Sequence, residues 1–321
     1  KNETYVRAWC ELSFEKIGFD YEDRESALSS KAKWFPYIKG GEFRRWYGNK
    51  WEVVDWENDG YKLQTTMHPT ENRVWATNFN LDYIFKPNIN WSDIGGGKFA
   101  ARYSFGGEIF DATGLSCFPP QVDQYEVLGY LNSVAGNYFL KLLNPTLHFQ
   151  AGNIASLPYI PKVGDENLSS NVAELVQIAK LDWDMFEVSW DFSSNPLVAM
   201  VNSGKVSDSF KQYDMFCSKL VSDTLSLETQ VNSAVLDKFG LSQELDVDIR
   251  KSDISLKLNP LYKFNDSQEL KFRVSTFSEL ISYSIGCMMG RYSLDRKGLI
   301  YANSGNQGFD ILVAEEAYQS Y

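Results

Sequence analysis

The chain has 321 residues, 44% of them hydrophobic and 15% aromatic, which is enough to bury a full core in two or three units and too apolar for a disordered chain. A formal net charge of −11 and a pI near 4.8 exclude indiscriminate binding to nucleic acid or to an anionic membrane, because global repulsion opposes both. Any contact with phosphate must therefore be local.

The first residues, Lys1-Asn2-Glu3-Thr4, carry neither an initiator Met nor a basic and apolar leader, so the chain is expected to be cut from something larger. From Lys31 to Gly60 four of the nine tryptophans are interleaved with six cations that all precede Trp51, Lys31, Lys33, Lys39, Arg44, Arg45 and Lys50, which up to that point face only Glu42 as a local counter-charge. Rings among cations suit phosphate and base contact. The same pattern also describes a small domain whose core is Trp34, Phe35, Tyr37, Phe43, Trp46, Tyr47, Trp51 and Trp56, with the cations as its coat. Composition does not choose between the two.

Lys98 to Phe105 alternates strictly, with Phe99, Ala101, Tyr103 and Phe105 on one face and Lys98, Ala100, Arg102 and Ser104 on the other. This predicts a half-buried strand with a basic outer face. Gly95-Gly96-Gly97 before it reads as a flexible loop, and Gly106-Gly107 after it as a hairpin turn into Glu108-Ile109-Phe110. Asp123 and Glu126 form a capping pattern ahead of Leu128, Leu131, Ala135, Phe139 and Leu142, which predicts one amphipathic helix up to Asn144-Pro145. Ile154, Leu157 and Ile160, with Pro158 and Pro161, read as a short edge element.

Composition shifts near Pro161: 16 Lys and Arg stand against 19 Asp and Glu before it, and 15 against 23 after it. A second capping pattern, Asn171 with Glu174, starts a helix towards Trp183. Val206, Phe210, Tyr213, Cys217, Leu220, Thr224, Leu227, Val231 and Ala234 then alternate spacings of four and three until Gly240, which predicts an intramolecular helical spacer roughly 45 Å long. A last helix runs through Leu280, Ile281 and Ile285 towards Tyr292, its Gly286-x-x-x-Gly290 spacing marking close helix packing. The expected fold class is α+β, with a first domain over 1–160 built on a twisted, mainly antiparallel sheet with packed helices, a helical spacer over 161–245, and a mainly helical C-terminal region over 246–321.

Cys10, Cys117, Cys217 and Cys287 lie about a hundred residues apart with only His68 and His148 beside them, so neither a zinc site nor a disulfide framework is read; small core residues in a reducing cytoplasm are expected. The longest apolar runs fall short of a membrane span. No Walker loop, zinc-protease helix, nucleophile elbow or dinucleotide-binding loop is present, so no catalytic, cofactor-binding or metal-ligating residue is assigned. Phe118-Pro119-Pro120-Gln121 has the prolines of an Asn-Pro-Pro-Tyr box but neither its gripping amide nor its aromatic ring.

Trp34-Phe35-Pro36-Tyr37-Ile38-Lys39-Gly40-Gly41-Glu42-Phe43-Arg44-Arg45-Trp46-Tyr47-Gly48, followed by Trp56-Glu57-Asn58-Asp59-Gly60, resembles the block after the catalytic domain in adenine-specific DNA methyltransferases of the BREX phage-resistance type, the PglX proteins. Ala101-Arg102-Tyr103-Ser104-Phe105-Gly106-Gly107 with Ile109-Phe110-Asp111, then Leu131-Asn132-Ser133 and Leu157-Pro158, resembles the specificity module shared with restriction-modification target-recognition domains. Ser282-Tyr283-Ser284-Ile285-Gly286-Cys287-Met288-Met289-Gly290-Arg291-Tyr292-Ser293-Leu294-Asp295 is similar to a late block of the same family.

The resemblance implies an upstream domain of the same polypeptide that holds S-adenosylmethionine and flips the target adenine, while this chain recognises double-stranded DNA. Under that reading Lys31, Lys33, Lys39, Arg44, Arg45, Lys50, Lys98 and Arg102 are the candidate DNA-binding residues, with Arg44 and Arg45 foremost as a guanine contact or phosphate clamp. Gly40-Gly41 would let backbone approach closely, and Trp46 and Tyr47 would brace the arginines. Two other readings stand beside it: a scaffold whose acidic half docks other subunits of a defence complex, and a carbohydrate site on exposed tryptophans.

Overall fold

The computed structural model describes residues 2–76, 80–95, 98–144, 146–160, 166–201, 204–303 and 307–318. It is α+β, and the chain divides into two compact units. Unit 1 comprises Lys1–Phe43, Asn49–Asn132 and Gly136–Tyr159, and unit 2 comprises Arg44–Gly48, Ser133–Ala135 and Ile160–Tyr321. Gly96, Gly97, Pro145 and Pro161, on which parts of the glycine-loop, helix-stop and boundary expectations rest, lie outside the described residues.

Unit 1 carries the strands β1 (Val6–Ala8), β2 (Trp34–Ile38), β3 (Glu52–Asp55), β4 (Asn88–Ser92), β5 (Ala101–Ser104), β6 (Ile109–Phe110) and β7 (Gly114–Cys117). They form two sheets, β1-β3-β2-β6 and β5-β4-β7. Every pairing is antiparallel except β2 with β6. The expected hairpin from β5 through Gly106-Gly107 is therefore corrected: β5 pairs with β4, and β6 joins β2 in the other sheet. The glycines still make the turn, since both have positive φ and a Cβ on Gly106 would stand 2.6 Å from the Phe85 carbonyl oxygen.

The unit also holds α1 (Asn2–Tyr5), α2 (Arg24–Ser29), α3 (Glu57–Thr65), α4 (Gln124–Asn132), α5 (Val134–Leu143) from Gly136 onward, and α6 (Ala151–Ala155). Ala27, Phe35, Val54, Trp56, Leu63, Ile84, Phe85 and Ile109 close the first sheet's core. The start of α3 is not helical: Asn58, Asp59 and Gly60 take φ of 53°, 57° and 70° in succession. This left-handed turn folds the backbone against the Trp56 ring, 2.6 Å from where a Gly60 Cβ would be, and both Asp59 carboxylate oxygens accept from the Arg24 guanidinium.

The single helix expected over 123–142 is two, α4 and α5. The Val134 N–H donates to Asn232 Oδ1 at 2.9 Å instead of continuing the helical ladder, which breaks the run at Ser133. The side chain of Asn132 meanwhile accepts from the Ala101 N–H at 2.8 Å and donates to its carbonyl at 3.0 Å, so one amide caps the edge of β5 as a neighbouring strand would. In place of the edge element expected at 154–160, Ile154 lies in the short helix α6, stabilised by a reciprocal cap between Gln150 and Asn153, and residues 157–160 follow it without forming a strand.

Unit 2 is helical: α7 (Glu166–Asp184), α8 (Pro196–Ala199), α9 (Val206–Phe239), α10 (Pro260–Lys263), α11 (Gln268–Met288) and α12 (Phe309–Ala314). Helix α7 starts five residues before the Asn171 cap read from sequence. Helix α9 buries the heptad seam, with Phe210, Tyr213, Cys217, Leu220, Leu227 and Val231 inside, and stops at Gly240 in a left-handed C-cap with φ 69°. Its 34 residues extend about 51 Å. The Gly286 and Gly290 spacing marks close packing against rings: Cβ atoms there would lie 2.6 Å from Tyr292, just past the helix, and 2.8 Å from Phe309, the first residue of α12.

Of the cysteines expected in cores, only Cys217 is buried. Cys10 is exposed, Cys117 and Cys287 are partly covered, and all four are free. Among the described residues no helix is long and apolar enough to cross a membrane.

Candidate nucleic-acid interface

The basic residues of the island fall in both units, and most are neutralised by carboxylates distant in sequence. In unit 1, strand pairing of β2 with β3 brings Lys33 to 3.5 Å from Asp55 and Lys39 to 2.9 Å from Glu52. Lys50 is buried and ion-paired with Glu108, whose second oxygen accepts from the Ser104 hydroxyl. Lys31, just beyond α2, is exposed. The positive island expected from local counting is thus corrected: Glu52 and Asp55, just past the Lys31–Lys50 run, and the more distant Glu108 supply the counter-charge that the run itself lacks.

Arg44 and Arg45 belong to unit 2, where both are buried or nearly so. Arg44 is 6% exposed and donates to Asp182 Oδ2, to the Ala179 carbonyl at 3.1 Å and to the Tyr47 carbonyl at 2.6 Å, with its guanidinium 5.1 Å from the Trp183 ring centre. Asp182 is fully buried and also accepts the Lys257 and Leu258 N–H groups, each at 2.8 Å. Arg45 pairs with Glu228 at 2.9 Å and donates to the Asp253 carbonyl, while Trp46 Nε1–H donates to Glu228 at 2.7 Å. Burial raises the Glu228 carboxyl above the ordinary Glu range, opposed by Arg45 and the indole bond.

The segment needs special backbone to do this. Trp46 holds φ 73°, and Gly48 holds φ 128° where a Cβ would sit 2.3 Å from Arg44 Nε. The two arginines placed first as DNA contacts are therefore the anchor of a helical core, and Trp46 and Tyr47 are core rings, as in the small-domain reading of the block.

The strand residues occupy a different setting. Arg102 on β5 is 1% exposed, not on a solvated outer face, because the sheet is covered on both sides. Its face is nonetheless polar. Asn88 and Asn90 of β4 stand in register with Ser104 and Arg102, and Arg102 Nε donates to Asn90 Oδ1 at 3.2 Å. At one end this polar face opens into a cleft lined by Gly41, Glu42, Ser92, Lys98, Arg102 and Phe149. Lys98 is exposed at the cleft, so the two strand cations are brought together.

Gly40 and Gly41 border the cleft through contact with their own chain. A Gly40 Cβ would be 2.9 Å from the Thr113 carbonyl, and the Gly41 carbonyl accepts from Ser92 Oγ at 3.0 Å.

An exposed element outside the sequence expectations follows α3. Thr66–Trp75 folds back on itself with Trp75 N–H donating to the Thr66 carbonyl at 2.8 Å and His68 N–H to the Arg73 carbonyl at 2.9 Å. Its signal was available: Pro69 and Asn72 are turn formers between Thr66-Met67 and Val74-Trp75.

No protein-family model matches the chain. It is 34% identical over 327 positions to the adenine-specific methyltransferase BrxX of Escherichia coli O9:H4 (strain HS), covering 99% of this chain and 25% of that protein. Over the part it spans, the chain belongs to the BrxX/PglX family. The adenine-specific methyltransferase PglX of Lacticaseibacillus casei (strain Zhang) is 33% identical over 306 positions, covering 94% of this chain and 24% of that protein. The chain thus spans about a quarter of the length of these relatives, and both of its units fall within the BrxX/PglX match.

Proposed function

We propose that this chain is the DNA-recognition portion of a site-specific adenine (N6) DNA methyltransferase of the BREX type. It positions duplex DNA for an S-adenosylmethionine-dependent catalytic domain upstream in the same polypeptide, in the cytoplasm. The observation that carries this reading is that nearly the whole chain aligns with two adenine-specific methyltransferases, yet its sequence holds neither a cofactor loop nor an amine-gripping box. Binding and orienting the substrate is the task such a segment is left with. Residues 1–160 form the recognition domain, 161–245 the spacer and 246–321 the C-terminal helical region.

Within this reading the candidate residues take distinct parts. Lys31 and Lys98, both exposed, contact phosphates, and Arg102 sets the charge of the cleft beneath Lys98. Lys33 and Lys39, each about two-thirds covered and ion-paired, contribute weakly. Arg44 and Arg45 hold the core of unit 2, and Lys50 holds the scaffold of unit 1. Lys98→Glu should weaken duplex binding and flatten the slope of log affinity against log salt by about one. An unchanged slope would remove the cleft from the phosphate contacts.

The scaffold reading keeps one specific support. The exposed face of α11 carries Leu270, Val274, Ile281, Ile285 and Met288, opposite its buried Phe272, Thr276 and Tyr283. Loss of co-purifying defence subunits on Ile281→Glu, with duplex binding intact, would favour it.

A further inference from the structure

We propose that the Thr66–Trp75 ribbon is a base-reading finger, with Asn72 and Arg73 as specificity-determining side chains for a purine edge in the major groove; this rests on the DNA-recognition reading above. The ribbon is a tight turn-back closed by one antiparallel bridge, Met67 with Val74, and by the two backbone hydrogen bonds that flank it. The major groove of B-DNA, about 12 Å wide, admits such a ribbon.

The tip is braced by its own side chains. His68 Nδ1 accepts from the backbone N–H of Thr70 at 3.3 Å and of Glu71 at 3.2 Å, and the His68 ring packs edge-on to Trp75 with centres 5.8 Å apart. Pro69, Thr70, Glu71, Asn72 and Arg73 are all exposed at the end of this brace. A tip ordered before contact spends little entropy on ordering when it binds.

Chemistry decides what the tip would contact. Arg73 Nε donates to Glu71 Oε2 at 2.5 Å and Nη1 to the Val74 carbonyl at 3.3 Å, which aims the guanidinium while cancelling its charge. A neutralised pair is a poor phosphate clamp, because the Glu71 carboxylate repels the backbone. It remains suited to base edges, where geometry matters more than net charge: Asn pairs with adenine N6 and N7, Arg with guanine O6 and N7, and a carboxylate accepts from cytosine N4. Asn72 beside Arg73 on one braced tip presents two of these readers together.

The test is selection from a pool of randomised duplexes by the whole chain, with Asn72→Ala and Arg73→Gln beside the unaltered protein and thermal melting to confirm their fold. The unaltered chain should enrich a motif. Each variant should lose preference at one or two positions by about 5- to 150-fold, while affinity for unenriched duplex stays within about twofold. An unchanged motif in both variants would overturn the finger and leave the DNA reading standing. A uniform fall across all sequences with a flatter salt slope would also overturn it, since it marks a phosphate contact. If the unaltered chain enriches nothing, the finger falls together with the DNA reading.

Discussion

Replacing Asp182 by Ala tests the anchor of unit 2 directly. Asp182 is fully buried; one oxygen takes the Arg44 guanidinium and the Lys257 N–H, and the other takes the Leu258 N–H. Truncation leaves a buried cation without its anion and two amides without acceptors, and removing one partner of such a pair costs about 3–5 kcal/mol. Arg44→Met should cost less, because Asp182 keeps both backbone donors and the thioether fills part of the space beside Trp183. Denaturant unfolding gives the loss in stability, and hydrogen exchange at Lys257 and Leu258 gives the same quantity locally. A loss of 3–5 kcal/mol corresponds to exchange about 150- to 5,000-fold faster. A variant Asp182→Ala within about 1 kcal/mol of the unaltered chain, or one less damaging than Arg44→Met, would refute the reasoning.

Three further outcomes follow from packing and titration. Gly60→Ala should lower the melting temperature of unit 1 more than Gly240→Ala lowers that of unit 2. Both have left-handed φ, costing about 1–2 kcal/mol for an L residue, but a Cβ at Gly60 meets the Trp56 ring at 2.6 Å, whereas at Gly240 nothing lies within 4 Å. Burial pushes the Cys117 and Cys217 thiols up to about 12, so at pH 8 alkylation should modify exposed Cys10 and spare these two until the chain unfolds. Equal labelling of all four would contradict their placement. Because those folded-state values lie above the ordinary thiol value, the folded chain keeps protons that the unfolded chain gives up. Stability should therefore decline between about pH 9 and pH 12 and change less over that window in a Cys117→Ser, Cys217→Ser chain.

What was legible in the sequence was mostly helical. The alternating spacings from Val206 to Ala234 with Gly240 after them describe α9 well, because a long helix buries one stripe and announces it locally. The strand alternation at 98–105 found β5 but misread its outer face. Periodicity says which residues share a face, not whether partners such as Asn90 of β4 and Glu108 will meet Arg102 and Ser104 on it. The same limit explains Arg44 and Arg45. Their partners Asp182 and Glu228 lie 138 and more residues away, so counting charges along the chain saw an uncompensated island. The Trp56-Glu57-Asn58-Asp59-Gly60 block has its explanation in three successive left-handed residues, which Asn, Asp and Gly tolerate better than other types.

The central claim, that this chain carries the DNA specificity of a BrxX/PglX enzyme, is tested most directly by exchange within a whole enzyme. A BrxX or PglX protein would receive this chain in place of its own matching quarter, and modified adenines would be mapped by sequencing DNA from cells that express the hybrid. The account predicts that the modified motif changes from that of the recipient to a new one, at unchanged chemistry. A hybrid that still methylates the recipient's motif would contradict it.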